Sequence, residues 1–150
     1  MYKTIAARKA RGLFEALSRG DWEETLKDVA PDVHHVFPGD NALGGERHSR
    51  DAMRRWFERV YEVFPELEFE VYNIAVKGWP WDLWMAVEWI DRAKPRDGVP
   101  YSNRGAHWIH IERGKATEIH AYLDAEPISE ACRRLAAAGL EEAAAEPITA

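Results

Sequence analysis

The stretch that decides the fold runs from residue 82 to residue 124: DLWMAVEWIDRA (82–93), KPRDGVP (94–100), YSNRGAHWIHIE (101–112), RG (113–114) and KATEIHAYLD (115–124). Apolar and polar side chains alternate with a period of two along each long segment, as strands on a core do. Asp97-Gly98 and Arg113-Gly114 are turn signals between them, and Gly78-Trp79-Pro80 sets off a further segment at 67–77. Connections this short join antiparallel neighbours, because a parallel pair needs a crossover of a dozen residues or more. Four consecutive strands therefore make one curved antiparallel sheet.

The rest of the chain supplies what the sheet wraps around. Residues 3–19 place Ala6, Ala10, Leu13, Phe14 and Leu17 on one helical stripe, and Gly20 suits the position after a helix end. Asp21 opens a short second helix that Pro31 stops, and residues 32–38 alternate as a strand. Residues 39–45 read as loop. Ser49 caps a helix over 50–64 with the stripe Met53, Trp56, Phe57, Val60 and Phe64. Pro127 opens a last helix, and Gly139 closes it. Helices on one side of such a sheet give an α+β fold, a cone with an open mouth.

The 150 residues fit one domain, expected over 1–138, followed by an Ala- and Glu-rich tail at 139–150 that is expected to fray. A domain of this size buries roughly 70% of its unfolded surface without covalent staples. The single cysteine, Cys132, excludes a disulfide framework. The net charge of −6 argues against nucleic acid, whose affinity comes largely from Lys and Arg. No apolar run reaches the roughly 18 residues of a membrane span, and the N-terminus lacks a signal-peptide core. A cytoplasmic protein is the expectation.

Strand phase follows from the turns. A two-residue loop at Asp97-Gly98 makes paired positions sum to 195 and sets Glu88 opposite His107. A three-residue turn at Arg113-Gly114 sets His107 opposite Ala121. One face then carries Trp84, Glu88, Ile90, Asn103, His107, Ile109, Ile119 and Ala121, and its aliphatic strand ends assign it to the interior. The other face holds Met85, Val87, Trp89, Trp108 and Tyr122, an apolar patch that predicts a homodimer through the outer sheet face.

The runs Phe14–Trp22, Ala30-Pro31-Asp32-Val33 and Pro38-Gly39, with Gly114-Lys115 and Tyr122-Leu123-Asp124, resemble the SnoaL-like, NTF2-like (cystatin-like) superfamily. The resemblance spans about residues 5–138 and is to the superfamily rather than to a subfamily of known function. It implies a cone with an apolar pocket, and it covers ketosteroid isomerases, polyketide cyclases, limonene-epoxide hydrolases and binding modules. The isomerase tyrosine and two aspartates correspond to Leu13, Phe37 and His107 here. The epoxide-hydrolase Asp-Arg-Asp set corresponds to Ile90, Glu88 and Ala121. Neither set is retained, so the resemblance implies no particular reaction.

The chemistry left is a cross-strand pair of Glu88 and His107, whose Cβ atoms would lie about 4.5–5.5 Å apart. His35 shares the parity of Val33 and Phe37 and is expected to face the cavity as a second proton donor or substrate anchor. A carboxyl in an apolar cone has its pKa pushed towards neutrality, which suits general acid/base work. Equally, a Glu–His pair can be a satisfied structural element. Phe37, Trp56, Trp84 and Asn103 are expected around a small apolar molecule, with Asp40 in a loop at the mouth. No metal or cofactor is expected. His34 and His35 point to opposite faces, as do His107 and His110, and only His110, Glu118 and His120 could converge, on the outer face. Three readings stay open, the first two being a cofactor-free isomerase, cyclase or hydrolase acting by proton transfer, and a non-catalytic module that binds a hydrophobic metabolite. A third is a dimerisation domain whose pocket its own tryptophans fill.

Overall fold

A computed structural model describes all 150 residues. Helices α1 (Tyr2–Ser18) and α2 (Trp22–Leu26) precede strand β1 (Val29–Phe37) and a short strand β2 (Gly45–Arg47). Helix α3 (Arg50–Val63) leads into β3 (Glu68–Trp79), β4 (Asp82–Ala93), β5 (Tyr101–Glu112) and β6 (Lys115–Leu123), and α4 (Glu126–Ala137) follows. The α+β cone is as the sequence predicts.

Local chemistry ends and starts the helices. Gly20, at φ +78°, terminates α1, where its N–H bonds Leu17 O and the Asp21 N–H bonds Ala16 O. That paired arrangement satisfies two carbonyls of the last turn. The Ser49 side chain accepts from Ala52 N at 3.0 Å and caps α3, which buries Met53, Trp56, Phe57 and Val60.

One six-stranded sheet has the order β2-β1-β6-β5-β4-β3. Its antiparallel meander β3 to β6 is the expected one. The β1–β6 contact is parallel, with His35 beside Ile119, and β2 pairs antiparallel with β1 through His35↔Arg47. Strand β2 lies partly where loop was expected. The loop before it folds inward rather than hanging over the mouth: Ala42 and Leu43 are buried, and Asn41 Oδ1 accepts from Leu43 N at 2.9 Å.

Strand phase is where expectation and structure part. Paired positions of β4 and β5 sum to 194, as in Val87↔His107 and Trp89↔Gly105. The connection is a seven-residue loop, Lys94–Pro100, closed by a Gly98 N to Pro95 O bond, and not a two-residue turn. One residue of offset moves every β4 side chain to the other face. Met85, Val87, Trp89 and Asp91 therefore point inward, while Trp84, Glu88 and Ile90 lie outside. The expected homodimer patch loses Met85, Val87 and Trp89 to the core, and of its members Trp108 and Tyr122 stay on the outer face.

The tail packs against the domain. Leu140 and Ala143 are buried, and Arg59 bonds Glu142 Oε2 at 2.7 Å and Glu146 O at 2.8 Å. No helix is long and apolar enough to cross a membrane.

Candidate functional site

Between α1, α3 and the concave face of the sheet lies a cavity of about 340 Å³, and 27 of its 34 lining residues are hydrophobic. Phe14, Phe37, Trp56, Phe57, Phe69 and Trp89 supply its aromatic wall. Polar groups in that wall are few, so each needs a reason.

Asp91 is the first. It is 7% exposed, lines the cavity, and its Oδ1 has no hydrogen-bond partner. Burial raises its pKa to about 7, only partly offset by backbone hydrogen bonds and Arg92. The carboxyl is thus poised to gain or release a proton near neutrality. Thr25 Oγ1 is a second unpartnered buried oxygen on the same lining.

His107 is a further titratable group on the lining. Its Nδ1 accepts from Trp89 Nε1 at 2.8 Å, so the proton of the neutral ring resides on Nε2. Burial lowers its pKa to about 4, and Phe14 packs edge-on at 5.5 Å. His107 is therefore a neutral hydrogen-bond donor, not an imidazolium. The indole reaches it across Gly105, where an added Cβ would lie 2.9 Å from Trp89 Cη2. Asp91 sits four residues along β4 from Val87, the partner of His107. That is about 14 Å of strand, so the two groups face different ends of the cavity.

The model of the SnoaL-like domain family matches residues 10–119. The chain belongs to the SnoaL-like family. No curated protein matches it. Solved structures share the fold of this SnoaL-like protein at low identity. An NTF2-like protein of unknown function from Burkholderia pseudomallei is 23% identical with a TM-score of 0.68, covering 79% of this chain and 89% of that one. AclR, a candidate hydroxylase from Streptomyces galilaeus, is 23% identical with a TM-score of 0.64, over 89% and 94% of the two chains. A candidate polyketide cyclase from Xanthomonas campestris is 18% identical with a TM-score of 0.61, over 83% and 93%.

Within this SnoaL-like protein the residues singled out from sequence separate into three groups. Phe37, Trp56 and His107 line the cavity. His35 points inward but lies behind the lining: it is 1% exposed, Trp56 packs edge-on to it at 4.5 Å, and Arg47 Nη1 donates to its Nδ1 at 2.5 Å. Burial and the Arg47 charge hold its pKa well below the usual histidine value. Arg47 itself is fully buried, with Gly44 O and Ile148 O as its other acceptors. Burial lowers the Arg47 pKa to about 10.

The remaining residues lie elsewhere. Glu88 does not meet His107. A bulge in β3 presents Tyr72 and Asn73 to it on the outer face, where Asn73 Nδ2 donates to Oε1 at 2.8 Å. Trp84 is on that face too, stacked on His110 at 3.7 Å. Asn103 bonds Asp124 O at 2.9 Å, and Asp40 is exposed. Asp91 was missed in the sequence, although one signal pointed to it. The alternate positions Leu83, Met85, Val87, Trp89, Asp91 and Ala93 are uniformly apolar except for one carboxyl.

Proposed function

We propose that this SnoaL-like protein binds a small, mostly apolar molecule in the cone and acts on it by cofactor-free proton transfer. Asp91 is the acid/base group at one end of the cavity, and the Nε2–H of His107 anchors a polar group of the substrate at the other. The observation that carries this reading is the unpartnered Oδ1 of the buried Asp91 carboxyl in an apolar wall. A buried polar atom without a partner costs roughly 1–3 kcal/mol, a cost a ligand group can remove. A pKa near the working pH is also what an efficient general acid or base requires. The solved relatives carry different reaction names, so the assignment rests on the site.

A non-catalytic binding module is the second reading. It is favoured by the preponderance of hydrophobic lining and by a His107 that stays neutral at all ordinary pH values. One experiment separates the two. Compounds extracted from the purified protein are identified by mass spectrometry and incubated with wild type and with Asp91→Asn. Conversion by wild type and loss of at least about a hundredfold in the variant, the typical worth of a general acid or base, supports catalysis. A compound bound and recovered unchanged by wild type selects the binding module.

Self-association through the outer sheet face belongs to the same proposal, with Trp84 stacked on Trp108 and Tyr122 59% exposed beside them. Sedimentation of wild type as a dimer and of Tyr122→Glu as a monomer is expected. A monomeric wild type overturns it.

A further inference from the structure

Four of the six histidines lie on the outer face of the sheet, away from the cavity, and two of them stand beside an unpaired carboxylate. We propose that His34, Glu118 and His120 form a binding site for a divalent transition metal of the zinc class.

The parallel pairing of β1 with β6 sets His34 beside Glu118, and Glu118 and His120, two residues apart on β6, share that face. One ligand atom from each of the three lies within 4.8 Å of the others. Four-coordinate zinc bonds of 2.0–2.2 Å put neighbouring ligand atoms about 3.4 Å apart, so rotamer adjustments of about 1 Å close the site. All three side chains are half-buried on adjacent strands, which holds them near that geometry.

Two further features point to a ligand. Nε2 of His120 is buried and has no hydrogen-bond partner, a group that a metal bond would satisfy. Nε2 of His34 is 3.0 Å from Glu46 Oε1, which leaves Nδ1 for a metal. A carboxylate on the distal nitrogen orients the ring and raises its basicity, as in metal-binding histidines generally. His48 stacks on His34 at 4.7 Å, and His120 meets it edge-on at 5.2 Å, so the His34 ring is braced on two sides.

Ligand type selects the ion. Two imidazoles with one carboxylate suit zinc, copper or nickel, whereas calcium and magnesium take all-oxygen sets. Three protein ligands leave one tetrahedral position open to water or to an external group. The neighbouring group of Asp82, His110 and Glu112 has a single imidazole, already held by Asp82 at 2.5 Å. It serves as an internal control.

The test equilibrates the full chain with Zn²⁺, removes free ion and measures zinc per chain, with Co²⁺ as a spectroscopic probe. One zinc per chain and the visible absorption of four-coordinate cobalt are expected. His34→Ala and His120→Ala weaken binding at least about tenfold, while His110→Ala leaves it unchanged. Should His120→Ala fail to fold, Glu118→Gln, at a half-exposed position, reads the same loss. Less than a tenth of a zinc per chain, half a zinc bridging two chains, or binding that survives both histidine variants overturns the site. Because the cluster is outside the cone, Asp91→Asn leaves zinc binding intact, so failure of this site and failure of the proposed activity are separate results.

Discussion

The indole N–H of Trp89 donates to Nδ1 of His107 at 2.8 Å, and this bond sets the tautomer of the only imidazole that lines the cavity. An indole can only donate, so the ring must accept at Nδ1 and carry its proton on Nε2. Trp89→Phe keeps the aromatic bulk and removes the donor. The variant is expected to lose about 1–3 kcal/mol, because a buried acceptor is left unpaired. ¹⁵N NMR should show the Nε2–H form dominant in wild type and a mixture in the variant. An unchanged tautomer together with an unchanged melting temperature contradicts this arrangement.

Gly105 is the space that lets Trp89 reach across β5. A Cβ there would stand 2.7 Å from Tyr122 O, 2.9 Å from Leu123 Cβ and 2.9 Å from the Trp89 ring. The first contact is backbone and cannot swing away. Gly105→Ala should therefore destabilise by about 1–3 kcal/mol, the range for overpacking, and disturb Trp89 fluorescence. Denaturant unfolding equal to wild type would show that the ring is not held there.

Asp91 and His107 give stability opposite pH dependences. The folded Asp91 keeps its proton up to about pH 7, while the unfolded chain releases it near 3.8. Its contribution is thus present below pH 4 and lost as pH rises to 7. His107, at about 4 instead of 6.5, contributes above pH 6.5 and loses that contribution as pH falls towards 4. Asp91→Asn removes only the first dependence. The variant's advantage over wild type should grow from pH 4 to 7 and then level off, at most about 4 kcal/mol. Unfolding curves at several pH values check it; a flat difference refutes it.

The C-terminal residues act as part of the fold. Ile148 O accepts from the buried Arg47 Nε at 2.9 Å, and Ala150 O accepts from Arg55. Removing residues 146–150 leaves Arg47 with His35 and Gly44 O alone, and also takes Glu146 O from Arg59. A loss of about 1–3 kcal/mol is expected, read as a lower denaturant midpoint. Arg47→Ala, which strands His35 as well, should cost more than the truncation, because a further buried acceptor loses its partner. A truncated chain as stable as the full one contradicts this role.

Local signals carried most of the architecture. Gly20 and Ser49 bound the helices, and the period-two runs mark all four long strands. Two offsetting features set the β5–β6 register. Arg113 and Gly114, both at positive φ, form a two-residue turn, and a bulge at His110/Ile111 restores the expected pairing beyond it. No such compensation exists at 94–100, where a loop of odd length inverted β4 and exchanged Glu88 for Asp91. The parallel β1–β6 pair had no local signal at all, because no turn joins those strands. His34 was therefore never set beside Glu118, and Arg47 was never set on His35.

The account turns on a carboxyl kept protonated to neutrality inside an apolar cone, and ¹³C NMR of the side-chain carboxyl carbon of Asp91, assigned with Asp91→Asn, measures that directly. The expected titration midpoint is about 7, moving upward when an apolar ligand fills the cavity and excludes water. A midpoint near 4, unmoved by any ligand, would mean that the group is hydrated and the proposed chemistry is wrong.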